Sequence, residues 1–98
     1  MLKGIMETVV VIDVESGGLN PEEDAVLQVA LVASGGRTLS VDVLDRDGRR
    51  SDVAMSINRI DWEAHKASAD LPLVAAVKIT TWLESIQATL PEGARLVI

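Results

Sequence analysis

The sequence predicts a single α/β domain, residues 1–98, built on a mixed four-stranded sheet. Three apolar runs are joined by short loops rich in turn-forming residues, which is typical of antiparallel strands. A long apolar stripe at helical spacing follows them. One more apolar run comes last, so a helical crossover should place the fourth strand parallel to an earlier strand, on a right-handed path.

The first three runs are the predicted antiparallel strands. Thr8 to Ile12 is apolar or β-branched throughout, which is typical of a strand buried on both faces. Val26 to Ala33 is the second predicted strand. Thr38 to Leu44 alternates apolar and polar residues, which predicts one face on the core and one in water. Gly35 and Gly36 lie between the last two runs and predict a hairpin turn with positive φ.

The helices are predicted in the second half of the chain. Pro72 to Leu90 is the clearest, because proline is favoured in a first helical turn and apolar residues recur along one face. That stripe consists of Ala75, Ile79, Leu83, Ile86 and Leu90, with Trp82 beside it. Asp61 to Ala67 predicts a short helix capped by Asp61. Residues 91–93 (Pro-Glu-Gly) should end the long helix, and Ala94 to Ile98 is the predicted fourth strand.

The composition excludes several classes of protein. With 48% hydrophobic residues the chain should form a packed core, and without cysteine it has neither a disulfide nor a thiolate metal site. No apolar run approaches the roughly 20 residues of a membrane helix, and the N-terminus lacks a signal-peptide pattern, so we expect no membrane partner and a cytoplasmic location. The net charge of −6 disfavours a plain nucleic-acid-binding module more than a metal-dependent enzyme, because divalent cations neutralise carboxylates and then bind phosphate.

Two carboxylates, Asp13 and Glu15, follow the first apolar run. If the strand continues that far, both side chains lie on one face, roughly 6.6 Å apart along the strand. Their oxygens would then converge on one divalent cation or share a pair, and hard oxygen ligands favour Mg²⁺ or Mn²⁺ over zinc. Residues 16–21 are turn formers and predict a loop, although this loop lacks the lysine and spacing of a nucleotide-binding P-loop.

The stretch around these carboxylates resembles the first motif of the DEDD (DnaQ-like) 3′–5′ exonucleases, a family that includes ribonuclease T, oligoribonuclease and the proofreading exonucleases of replicative polymerases. The matching residues are Val9 to Pro21 (VVVIDVESGGLNP) and Asp24 to Ala30 (DAVLQVA). They agree in both carboxylates, the hydroxyl residue after Glu15, the glycine, the apolar residue at 19 and the following strand. Beyond Ala33 the resemblance consists only of a similar order of strands and helix, and no further motif follows.

The resemblance implies a ribonuclease H-like fold and a nuclease, a hydrolase that binds two divalent ions and releases nucleoside monophosphates from the 3′ end of DNA or RNA. Asp13 matches the carboxylate that bridges both ions. Glu15 matches a ligand of one ion that also approaches the terminal 3′-hydroxyl. The loop that cradles the last nucleotide matches Ser16, Gly17, Gly18 and Leu19, with the leucine against the base or sugar.

The sequence also departs from the family pattern. Gln28 stands where many members have Glu, and Ser16 where Thr is commoner, but neither difference removes a metal ligand. The sequence ends at Ile98, before the second and third motifs are expected, with their further Asp ligands and general base. We therefore expect a truncated ribonuclease H-like sheet, the amino-terminal half of the domain. It should bind metal weakly, have little or no activity alone, and depend on a missing carboxy-terminal half.

Two alternative functions stay open. In the first alternative, the chain is a non-catalytic domain that binds a partner protein or forms a homodimer through the apolar strand near Leu96 to Ile98. Alternatively it is another ribonuclease H-like nuclease, such as a resolvase or ribonuclease H. A glutamate at position 15 followed by this loop favours the exonuclease group over that second alternative.

The remaining polar and aromatic residues are interpreted as structural. His65, the only histidine, does not match the family's base position and is interpreted as a surface or partly buried bystander. Trp62 could stack on a nucleic-acid base, but as one of only two aromatic residues in a small domain it is interpreted as a core residue. The caps and solvated carboxylates are expected to be Asp61, Glu63 and Asp70.

Overall fold

The chain folds into a small α/β unit with a four-stranded mixed sheet and three helices; the structure is a computed structural model that describes residues 7–91 and 94–98. The strands are β1 (Glu7–Ser16), β2 (Val26–Ala33), β3 (Thr38–Asp42) and β4 (Arg95–Val97), and the helices are α1 (Asp52–Asn58), α2 (Trp62–Ser68) and α3 (Pro72–Thr89). Residues 1–6, the start of the segment predicted not to be a signal peptide, lie outside the described residues. So do Glu92 and Gly93, two of the three residues predicted to end the long helix.

The sheet has the strand order β3-β2-β1-β4. β1 is antiparallel to β2, and β2 is antiparallel to β3, as the short loops predicted. β4 is parallel to β1 after the helical crossover, which confirms the predicted mixed sheet. Gly35 and Gly36 turn the β2–β3 hairpin with φ of 97° and 94°, so both glycines adopt the positive φ predicted for them.

The long helix packs on one face of this sheet. Its buried residues Ala75 and Ile86 belong to two adjoining core clusters, one around Val10 and Leu31 and the other around Val41. Trp82, with other residues of the predicted stripe, packs against the first cluster, so the predicted core face of α3 is confirmed. Within the described residues no helix is long and apolar enough to cross a membrane.

The prediction that the first strand is buried on both faces is wrong. Val10 is buried against α3, whereas Val11, on the opposite face, is 62% exposed. Ile12 and Val14 lie on the same face as Val10 but are also exposed. Neither of them belongs to the core clusters that pack against α3. An uninterrupted apolar run therefore marks a strand here without marking cover on both sides.

Helix α1 was not predicted from the sequence. It begins at the N-cap Ser51, whose hydroxyl accepts a hydrogen bond from the backbone N–H of Ala54 at 3.0 Å, and it buries no residue. Helix α2 was predicted, and its cap is confirmed because the Asp61 side chain accepts from the backbone N–H of Glu63.

Candidate nucleic-acid and metal site

Asp13 and Glu15 both lie within β1, because the strand continues to Ser16. They pair with Ala30 and Gln28 of β2, so alternation places both side chains on the face opposite α3. Asp13 is exposed and Glu15 is half-buried, so water reaches both residues. The sheet therefore presents both predicted metal ligands on one accessible face.

A third carboxylate lies in the same row of the sheet. Gln28 pairs with Glu15 on one side and with Asp42 on the other, so the three residues run across β1, β2 and β3. The Gln28 side-chain Nε2 donates to Asp42 Oδ1 at 2.8 Å. The Gln28 amide can therefore donate to Asp42, whereas a carboxylate at position 28 would place a second negative charge beside it. Alternation predicted that Asp42 faces water, but its position in this row depends on the strand register.

One edge of β1 is open beside the two carboxylates. β4 pairs only with Glu7 to Val9, so within the described residues no strand continues along that edge as far as Asp13. On the other edge the register with β2 shifts between Glu15 and Ser16, where the strand leaves regular geometry. Such irregularities re-aim the chain at the end of a strand. Here the shift leads directly into the glycine-containing loop of residues 16–20.

The glycine loop, residues 16–20, is anchored by backbone hydrogen bonds on both sides. The N–H of Gly17 donates to Ala25 O at 2.8 Å, and its carbonyl accepts from the N–H of Ser51 at 2.8 Å. A side chain on Gly17 would collide with the backbone of the 49–50 segment, since its Cβ would lie 2.7 Å from Arg50 Cα. Ser16 Oγ donates to Gly18 O at 2.6 Å and closes the turn. Glycine is therefore required at position 17 for close approach of two backbone segments.

The far side of the loop is held by Asp24. Its Oδ2 accepts from the backbone N–H of Asn20 at 2.8 Å, and its Oδ1 lies 3.7 Å from Arg49 Nε. Arg49 also forms an ion pair with Glu23. Asp24 is thus committed to the loop and to Arg49, and we assign it a structural role.

A pocket of about 640 Å³ opens between the glycine loop, the end of β1 and helix α1. Its volume lies within the usual range for small-ligand sites. The lining residues are Val14, Glu15, Ser16, Gly17, Gly18, Leu19, Asn20, Asp24, Ser51, Val53, Ala54, Ile57 and Asn58. Five of the six predicted site residues therefore surround one cavity, and the sixth, Asp13, lies two positions before Glu15 on the same face of β1.

The wall formed by α1 is apolar. Val53 and Ile57 project into solvent, and Leu19 is fully exposed. Asn58 ties this wall to the site because its Nδ2 donates to Ser16 O at 2.8 Å. Exposed aliphatic groups around a cavity are typical of a site for a ligand with an apolar surface. The sequence signal for α1 was Ser51 followed by Asp52, an N-cap with an acidic first turn.

His65 does not border this pocket. It is 7% exposed, and its Nε2 lies 2.7 Å from Val43 O. Trp62 is half-buried and stacks on the imidazole, with ring centroids 5.9 Å apart. His65 therefore joins α2 to the end of β3, a structural position in agreement with its interpretation as a bystander.

The donor set at the carboxyl end of β1 suits a hard divalent cation. Asp13 and Glu15 offer carboxylate oxygens and water has access to fill other coordination positions, as Mg²⁺ prefers. Among the described residues, no three His, Cys, Asp or Glu side chains are grouped closely enough to hold a metal ion. No protein-family model matches the chain, and the curated proteins contain no significant match to its sequence.

Proposed function

We propose that this chain contributes to a metal-dependent 3′–5′ exonuclease site acting on DNA or RNA. The observation that carries the proposal is the pair Asp13 and Glu15 on one accessible face, directly before a glycine loop that lines a pocket. A rigid strand that delivers two carboxylates beside a ligand pocket is an arrangement suited to holding a cation against phosphate.

The sheet topology supports the proposal of a ribonuclease H-like fold of the DEDD type. Three antiparallel strands, a helical crossover and a fourth strand parallel to the first form the order β3-β2-β1-β4, which agrees with the mixed sheet that we predicted. β1 lies in the interior of the sheet, so its carboxylates are held by neighbours on both sides over part of its length.

The residues of the pocket have separate roles in this proposal. Asp13 and Glu15 would hold Mg²⁺ or Mn²⁺, which would supply activation of water and stabilisation of charge on the phosphate in a complete site of the DEDD type. The Ser16–Leu19 loop orients the last nucleotide, and Leu19 and the α1 wall pack against its base or sugar. With two carboxylates in place of the full ligand set, this chain alone binds metal weakly and has little or no hydrolytic activity.

The proposal is tested by binding of a fluorescent single-stranded oligonucleotide in Mn²⁺, measured by anisotropy. We expect a free 3′-hydroxyl to be preferred over a 3′-phosphate end, and Asp13→Asn to weaken the Mn²⁺-dependent binding by roughly tenfold or more. Asp47→Asn is the matched control, because Asp47 is exposed and has no ion pair among the described residues.

Three results decide the matter. Equal affinity of the Asp13→Asn and Asp47→Asn variants would contradict the metal site. Equal affinity for free and blocked 3′ ends would contradict an exonuclease and favour a resolvase or ribonuclease H. Release of mononucleotides by the chain alone, lost in Asp13→Asn, would refute the expected inactivity while supporting the nuclease.

A second candidate function is a homodimer formed through β4. β4 is one of the two edge strands of the described sheet, and Ile98 beyond it is 67% exposed. An edge strand can pair with a strand of another chain. We expect concentration-dependent association in sedimentation velocity, unchanged by EDTA and weakened by Ile98→Asp.

Val77→Asp provides the control for that experiment, because Val77 is 57% exposed and belongs to α3 rather than to β4. A monomer at every concentration would eliminate the dimer. A similar loss of association in both variants would place the contact elsewhere.

A further inference from the structure

We propose that Arg50 binds a backbone phosphate of the single-stranded nucleic acid that enters the pocket, and that Trp62 holds its guanidinium in position for this. The inference rests on the proposed function and adds a residue to it. Arg50 is absent from the first-motif match and does not border the pocket, so neither the resemblance nor the cavity selects it.

The guanidinium lies against Trp62, which also stacks on His65. Arg50 Cζ is 3.6 Å from the centroid of the Trp62 ring, and Trp62 in turn stacks on His65 with an interplanar angle of 26°. His65 is buried and bonded to Val43 O. Because His65 is fixed to the end of β3, the indole that stacks on it is held in place, and its contact with this indole restrains the guanidinium.

The backbone of Arg50 lies beside the glycine loop. The Arg50 Cα and Cβ lie 2.7 and 2.9 Å from where a Cβ on Gly17 would be, so the backbone of Arg50 contacts the loop directly. The next residue, Ser51, donates to Gly17 O and lines the pocket. The guanidinium is therefore within one arginine side chain of the loop proposed to hold the last nucleotide.

The hydrogen-bond donors of Arg50 are uncommitted within the described residues. No carboxylate there forms an ion pair with it, whereas its neighbour Arg49 is paired with Glu23 and Asp24. Stacking occupies the face of a guanidinium and leaves the N–H groups on its edge, which match two oxygens of a phosphate.

The pocket is acidic, so a nearby cation would favour binding of a nucleic acid. Its lining includes Glu15 and Asp24 and neither lysine nor arginine, and the whole chain carries −6. A polyanionic strand would be repelled unless metal and nearby cations offset these carboxylates. Arg50 lies next to the loop and is held there by its contact with Trp62. It therefore supplies the positively charged phosphate contact that the lining of the pocket lacks.

The test measures anisotropy of a fluorescent single-stranded oligonucleotide in Mn²⁺ across a salt series. Arg50→Gln keeps part of the stem and removes the charge; we expect binding about tenfold weaker. The slope of log affinity against log salt should fall by about 0.7, the value for one phosphate contact on a single strand. Arg46→Gln, an exposed arginine of the same loop, is the control and should change affinity by less than about twofold.

Two further variants separate phosphate binding from a structural role. Arg50→Lys restores the charge without the planar fork and should regain the salt slope but only part of the affinity. Trp62→Phe preserves a stacking platform and should bind better than Trp62→Leu. Urea unfolding of each variant confirms that it is folded, so a loss of affinity reports on the contact.

The outcomes distinguish this inference from the proposed function. If folded Arg50→Gln binds like Arg46→Gln while Asp13→Asn still loses its Mn²⁺-dependent binding, Arg50 is a structural residue and the nuclease proposal stands. If the wild-type chain binds no oligonucleotide, both proposals are overturned.

Discussion

Replacing Leu31 by alanine is expected to lower the free energy of unfolding by about 3 kcal/mol. Leu31 is 0% exposed at the centre of β2 and belongs to the core cluster with Val10 and Ile86. The cavity left behind is enclosed by strands on both sides and by α3 above, so the surroundings have little freedom to collapse into it. A domain of this size has roughly 5–15 kcal/mol in total, so the loss is a large fraction of its stability.

Leu73→Ala is the matched control, since the same atoms are removed from a side chain that is 77% exposed on α3. Its cost should be near zero, because alanine is the better helix former and little burial is lost. Both variants are compared by urea unfolding followed by circular dichroism and by fluorescence of Trp82, which packs against the same cluster. An equally large loss of unfolding free energy in Leu73→Ala would show that the face of α3 carrying Leu73 is buried, contrary to the structure.

The elements predicted correctly are those that local pattern determines. β2 has the predicted bounds, the Gly35–Gly36 turn has the predicted backbone sign, and α3 begins at the proline that the sequence marks. β3 ends two residues earlier than predicted, because Val43 pairs with Asp70 in an isolated bridge. Period and turn chemistry carry this information within a few neighbouring residues.

The features that were missed depend on which elements meet in space. Whether the valines of β1 are covered depends on where α3 crosses the sheet, and the run of apolar residues looks the same in either case. Helix α1 buries no residue, so it has no apolar stripe facing a core that could identify it. Its importance appears only when Asn58 is found bonded to Ser16 O.

The candidate site divides in the same way. The loop from Ser16 to Leu19 was predicted because consecutive residues carry the signal, and the structure places all of it around the pocket. The row from Glu15 to Asp42 and the stack on Trp62 join residues far apart in the chain. Register and packing set these contacts, and neither is encoded in any short window of sequence.

Replacing Gly17 by alanine is expected to cost about 2–3 kcal/mol, the upper part of the range for forced overpacking. The φ of Gly17 is not positive, so the penalty comes from contact rather than from backbone conformation. The added methyl would meet the carbonyl of Arg49 and the Cα of Arg50. That segment cannot retreat freely, because Arg49 O accepts from the N–H of Ala25 at 2.7 Å and its own N–H donates to Glu23 O.

Gly18→Ala is the control, because its methyl would meet the side chain of Asp24, which can rotate. We expect a cost of about 1 kcal/mol, since Asp24 would give up its hydrogen bond to Asn20. Alanine also restricts the unfolded chain, which offsets both variants by about 0.4–1 kcal/mol and leaves Gly17→Ala clearly the worse. Urea midpoints measure the difference, and similar midpoints would contradict the close approach at Gly17.

The same substitution connects the fold to the proposed chemistry. Any Gly17→Ala protein that remains folded must push the 49–51 segment away from the loop, and with it Arg50 and the pocket-lining Ser51. Oligonucleotide affinity should then fall further in Gly17→Ala than in Gly18→Ala when both are measured well below their unfolding midpoints. Unchanged affinity in folded Gly17→Ala would mean that the position of this segment is irrelevant to binding, and Arg50 with it.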